Sequence, residues 1–169
     1  ALGDISIIFS KELSGRKSQL WKTSAGVKFP SGKFNNLSGS EFTSFFSMAH
    51  YSNQSIFRFP KWHFNQTLGV LKNSADGLFE TKVKGLVYFG SSQIGWRVKE
   101  RLSLKAQIDY HTPFYLSDLR QLGSTSVQLV LGGTIRIGHT FALDLSLSED
   151  IATNTSPDVT FTLGLRRAF

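Results

Sequence analysis

Alternation with a period of two residues, returning in one segment after another, constrains this chain more than any other feature. Between Arg101 and His111, Leu102, Leu104, Ala106, Ile108 and Tyr110 alternate with Arg101, Ser103, Lys105, Gln107, Asp109 and His111. Successive side chains of an extended strand point to opposite sides, so this segment reads as a strand with one apolar and one polar face. The polar set holds two bases, an acid, an amide and an imidazole, too much polarity for a dry core to satisfy, and that face is expected to be wet. The next two segments repeat the arrangement. Val127, Leu129, Leu131, Ile135 and Ile137 oppose Gln128, Thr134 and Arg136, while Phe141, Leu143, Leu145 and Leu147 oppose Asp144, Ser146 and Ser148.

No helix-period segment competes with this rhythm, so the fold class is all-β, an antiparallel up-and-down arrangement in a single domain over residues 1–169. Strands are expected over Leu2 to Ser10, Gln19 to Phe29, Glu41 to Ser52, Lys61 to Leu71, Lys82 to Val98, Arg101 to Thr112, Thr125 to Gly138, Thr140 to Ser148 and Asp158 to Phe169. A soluble sandwich gives the same alternation, and connection length separates the two readings. Lys99-Glu100 and Gly138-His139 are tight, whereas Lys72 to Thr81, Thr112 to Ser124 and Glu149 to Pro157 are longer. Short turns alternating with long loops are the habit of transmembrane barrels, so the expectation is a transmembrane β-barrel with roughly eight to ten strands in this chain. The tight turns are then periplasmic and the long loops outward-facing. Nine strands depart from the even count of bacterial single-chain barrels, so either the count is off by one or an amino-terminal piece of a larger barrel is missing; because the chain opens inside an alternating run, A-L-G-D-I-S-I-I-F-S, the missing piece is the favoured expectation.

Composition bounds the class without naming it. A mean hydropathy of −0.10 and 40% hydrophobic residues leave no run of the about 18 apolar residues that a spanning helix needs. A barrel averages its two faces to such values. Aromatic content is 13%, and Trp21, Trp62 and Trp96 with Tyr51, Tyr88, Tyr110 and Tyr115 are candidates for girdles at the membrane surfaces. Without cysteine there is no disulfide framework and no thiolate zinc site. The net charge of +7 comes from bases spread along the strands, which fits a basic interior or anionic lipid better than nucleic acid, and no nucleic-acid partner is expected.

The final twelve residues, D-V-T-F-T-L-G-L-R-R-A-F, set Val159, Phe161, Leu163, Leu165 and Phe169 on one face. This resembles the assembly signal of Gram-negative outer-membrane barrels, in which a closing strand ends on an aromatic residue; Phe161, Leu163, Gly164, Leu165 and Phe169 are its candidate elements, and Arg167 departs from the pattern. Gln107 to Leu122, with Leu131-Gly132-Gly133 and Ser148 to Asp158, is similar to the carboxy-terminal half of an uncharacterised family of Gram-negative envelope proteins known only as a domain of unknown function. That resemblance runs over about Gly85 to Phe169 and implies an exported outer-membrane barrel, with family members longer than this chain. It implies partners in outer-membrane lipid, lipopolysaccharide and the barrel-assembly machinery, and supplies no catalytic residues.

Candidate chemistry is sparse. His50 and Ser52 share a strand face, so the imidazole is placed to act as general base toward Ser52 Oγ, with Asn65 as the orienting group, in the manner of outer-membrane lipid esterases. Arg101, Lys105, Gln107, Asp109, His111, Arg136, Asp144 and Arg166 form the expected polar network of the interior, with Asp144 meeting Arg136 or Arg166 across strands. Leu131-Gly132-Gly133 lacks the context of a nucleotide loop, and no cofactor or metal site is expected. The favoured reading is a non-enzymatic outer-membrane barrel with a pore or envelope structural role. Its alternatives are a lipid esterase using His50 and Ser52, and a soluble β-barrel or sandwich that binds a ligand.

Overall fold

The structure is a computed structural model that describes residues 3–16, 18–32, 42–56, 59–74, 83–138, 140–152 and 159–167. Its strands are β1 (Ile5–Arg16), β2 (Gln19–Phe29), β3 (Thr43–Asn53), β4 (Trp62–Ser74), β5 (Leu86–Lys99), β6 (Leu102–His111), β7 (Ser126–Ile137), β8 (Phe141–Ala152) and β9 (Val159–Arg167). One helical turn, α1 (Arg120–Gly123), precedes β7. The strands form a single antiparallel sheet in the order of the sequence, β1 to β9. Each strand makes its extensive contacts only with its neighbours in sequence, so among the described residues no second layer of sheet or helix covers either face.

Each expected strand is present; β2 has the expected limits, Gln19–Phe29, and the others are shifted. β1 continues past Ser10 to Arg16 through a bulge between Glu12 and Ser14, β4 runs past Leu71 to Ser74, and β8 runs past Ser148 to Ala152. Lys72 and Glu149 therefore belong to strands and not to loops. The four connections at one end span 17–18, 54–61, 100–101 and 138–140; those at the other span 30–42, 75–85, 112–125 and 153–158. Three of the first set are tight, and Gly138 takes the positive φ of 65° that its turn needs and that a Cβ would oppose. We call these the short-turn end and the long-loop end.

The sheet is open, where a closed barrel was expected: β1 pairs only with β2, and β9 only with β8. Nine up-and-down strands leave the first and last running in the same direction, so an antiparallel seam cannot form between them. The registers carry a stagger of the kind that closed sheets need. Lys11, toward the short-turn end of β1, lies in the row Thr23, Ala49, Leu68, Gly90 and Tyr110, which reaches Val127 beside the long-loop end of β7.

Burial is inverted relative to a water-soluble sheet. Ser24, Ser44, Ser52, Asn73 and Ser126 are buried on the polar face, and among the described residues only Val83 and Val87 are buried apolar ones. The apolar face carries exposed Phe9, Trp21, Leu68, Ile108, Leu131 and Leu145. With no covering layer, this difference requires the sheet to curl toward its polar side. At the long-loop end, a bridge between Val83 and Tyr115 and a hydrogen bond from Lys84 N to Phe114 O (2.8 Å) join two loops.

Candidate functional site

The polar face is built row by row from the registers. Arg97 on β5 is opposite Ser103, Ser103 is opposite Thr134, Thr134 is opposite Asp144, and Asp144 is opposite Gly164. One row nearer the short turns, Arg136 is opposite Ala142, which is opposite Arg166. Asp144 is the hub: Arg166 donates from Nε to Oδ2 (2.5 Å) and from Nη2 to Oδ1 (3.1 Å), while Thr134 Oγ1 donates to Oδ1 (2.5 Å). Two bonds from one guanidinium to one carboxylate fix the orientation of both groups.

The other expected network members do not join that hub as one chain. Gln107 donates to both oxygens of Asp109 (2.8 and 2.9 Å). His111 donates from Nδ1 to Thr112 O (2.9 Å), and its ring lies 4.8 Å from that of Phe114. Lys105 lies over Gly132, where an added Cβ would meet Lys105 Cε at 3.1 Å. Arg101 sits in the turn between β5 and β6, and its carbonyl accepts a hydrogen bond from Arg136 N (2.8 Å). The face is thus a set of local pairs, with Asp109 toward the long loops and Asp144 toward the short turns.

His50, Ser52 and Asn65 share this face, with Ser52 directly opposite Asn65. Their hydrogen bonds run elsewhere. His50 Nδ1 lies 2.9 Å from Thr67 Oγ1, Asn65 Nδ2 donates to Gln93 Oε1 (2.9 Å), and among the described residues no bond links His50 to Ser52. The residue opposite on the next strand is nearer than the residue two along the same strand, so Thr67 captures the imidazole. Among the described residues there is no group of three side chains able to hold a metal ion, and no helix long and apolar enough to cross a membrane.

The apolar face has its own order. At the short-turn end, Trp21 and Tyr51 have ring centroids 4.6 Å apart, Tyr51 and Phe64 6.4 Å, and Trp62 stacks on Trp96 at 5.7 Å, which makes an aromatic row across β2 to β5. Tyr88 and Tyr110 lie toward the opposite end of β5 and β6, whereas Tyr115 is in a loop. Of the terminal-strand residues, Phe161, Leu163 and Leu165 are 80%, 70% and 66% exposed along the open edge. Gly164 is opposite Asp144 on the other face, and Phe169 lies outside the described residues. Gly133 leaves a groove of about 480 Å³ between Leu104, Leu131 and Leu145.

One feature escaped the reading of the sequence. Rings lie over glycines directly across the ladder: Phe46 over Gly26, Phe89 over Gly69 and His63 over Gly95 on the polar face, and Tyr110 over Gly90 on the apolar face. A Cβ on Gly69 would stand 2.3 Å from Phe89 Cζ, so the ring occupies the space that a side chain would fill. Only the register reveals these pairs.

No curated protein matches this sequence. The family described as "Protein of unknown function (DUF3187)" matches residues 1–169, thus extending through the residues before Gly85 as well, and the chain belongs to that family.

Proposed function

We propose that this chain forms wall of a bacterial outer-membrane β-barrel, a non-enzymatic envelope protein with a pore or structural role. The observation that carries this reading is the inverted burial: a single-layer sheet with serines and asparagine buried on one side, and Leu, Ile, Phe and Trp exposed on the other. In water such a face would be an aggregation liability far larger than soluble monomers tolerate. Against acyl chains its contacts are favourable, and β2 to β8 each have a hydrogen-bonded neighbour on both sides. The strands run from 9 to 14 residues, enough for the about 9–11 needed to cross tilted. The aromatic row at the short-turn end, with Tyr88 and Tyr110 toward the other, suits two interfaces.

An antiparallel barrel containing these nine strands takes an odd number of further strands, because β1 and β9 run the same way; the total is then even. The uncharged stretch of β9 before Arg166 offers its open edge to the assembly machinery, and outer-membrane lipid and lipopolysaccharide cover the apolar face. The test is gel migration with and without heating, on protein extracted in detergent. A heat-dependent shift together with loss of solubility on detergent removal is expected. Full solubility without detergent and a single migration position would contradict the reading.

A further inference from the structure

We infer that the short-turn end of the polar face over β5 to β9 is a binding site for a phosphate-type oxyanion. The inference rests on the proposal above that this face lines a hydrated interior, and it names what that interior holds. Four cations reach this face from four strands: Arg97 on β5, Lys105 on β6, Arg136 on β7 and Arg166 on β9, and Arg101 stands in the adjoining turn. Among the described strand residues in this part of the face, Asp144 is the only carboxylate, and Arg166 and Thr134 already occupy it, while Glu100 stands next to Arg101 in the turn. Among the described residues no carboxylate lies within 4.0 Å of the charged nitrogens of Arg97, Arg101, Lys105 or Arg136, although Lys105 is near enough for its charge to act on Asp144. The opposite half of the face differs, since Asp109 and Asp150 sit toward the long loops.

Geometry selects the ligand class. Arg136 and Arg166 are two strands apart, about 9.5 Å between backbones, with only the methyl group of Ala142 between them. Two arginines rooted on either side of a small residue leave a gap above Ala142, and Arg166, whose head is drawn toward Asp144, keeps N–H donors for a tetrahedral oxyanion beside that pair. Arginine forks match phosphate oxygens in pairs, and Arg166 spends only two of its five N–H donors on Asp144. The hydrogen bond from Arg136 N to Arg101 O holds the adjoining turn beside this gap. A free phosphate compound in the interior water and a phosphate carried on a lipid headgroup present the same chemistry.

The experiment titrates the folded, detergent-solubilised chain with pyrophosphate by calorimetry at low ionic strength, and in parallel measures its partition into vesicles of phosphatidylcholine with or without phosphatidylglycerol. Saturable pyrophosphate binding is expected, weakened at least about tenfold by Arg136→Gln and also by Ala142→Leu, which fills the gap and keeps every charge. Lys28→Gln, far from the site and ion-paired to Asp4 at 3.2 Å, leaves binding unchanged. A preference for phosphatidylglycerol that Arg136→Gln and Ala142→Leu abolish, without pyrophosphate binding, assigns the phosphate to lipid. Binding that survives both substitutions, or no binding in either arm, overturns the inference. Heat-dependent migration is recorded on the same samples: a protein that shifts on heating yet binds no phosphate refutes this site and leaves the barrel standing.

Discussion

Replacing Leu131 by Arg asks the apolar face what it touches. Leu131 is 48% exposed at the middle of β7, between Ala106 on β6 and Leu147 on β8. It lies about 20 Å along the strand from Ile137, at roughly 3.3 Å per residue, or about 14 Å in depth at a tilt of roughly 45°. In the proposed barrel that would be near the centre of an about 30 Å hydrocarbon layer, where a barrel-surface Arg costs about 2–4 kcal/mol. Ile137, 51% exposed at the strand's end, would fall at the interface of that barrel, where the same change costs about 0–1 kcal/mol. The measurement is reversible urea unfolding of each variant in short-chain phosphatidylcholine vesicles. Leu131→Arg should lower the folding equilibrium by about 30- to 900-fold, at 1.36 kcal/mol per factor of ten, and Ile137→Arg by much less. If both lie within about 0.5 kcal/mol of the parent, as surface substitutions in water do, the lipid-facing account is refuted.

Three further outcomes follow from particular contacts. Asp144→Asn should cost about 1 kcal/mol or less in the same unfolding assay, because the side chains of the Arg166–Asp144 pair are 68% and 23% exposed; a loss of about 3–5 kcal/mol would mean a dry, buried pair. Gly69→Ala should cost about 1–3 kcal/mol by displacing the Phe89 ring, and the double variant with Phe89→Ala should cost clearly less than the two single costs together, as a double-mutant cycle will measure. Trp21, Trp62 and Trp96 all stand toward the short-turn end, so lipids brominated near the headgroup should quench the intrinsic fluorescence more strongly than lipids brominated near the chain terminus; the reverse order would remove the girdle assignment.

How much of this was legible in the sequence depends on how local each feature is. The faces of β6, β7 and β8 were readable because alternation is a property of consecutive residues. The limits of β1 and β8 were not. The bulge after Glu12 breaks the period just where Ser14 and Gly15 look like a turn, and Glu149 and Asp150 look like loop although they continue the ladder, Glu149 opposite Leu129 and Asp150 opposite Gln128. Openness of the sheet depends on whether the first and last strands meet, which no window of sequence contains. Shared facing brought Asp144 together with both Arg136 and Arg166 as candidates, and the choice of Arg166 came from the diagonal geometry of two particular strands. The same cross-strand proximity explains His50: its i+2 relation to Ser52 is visible in the sequence, but Thr67 directly opposite is visible only in the register. Ring-covered glycines belong to this second kind as well.

The chain contains no cysteine, so single spin labels can be placed at will along β7. The most direct test of the lipid-facing surface scans Val127 to Ile137 in membrane-inserted protein, comparing collisions with apolar oxygen and with a polar nickel complex. The account predicts a period of two in opposite phases, with Leu129, Leu131 and Ile135 reached by oxygen, and Gln128, Thr134 and Arg136 reached by nickel. Nickel reaching both sets would mean a sheet standing in water; a leucine set reached by neither would mean that protein covers this face. Either result would contradict it.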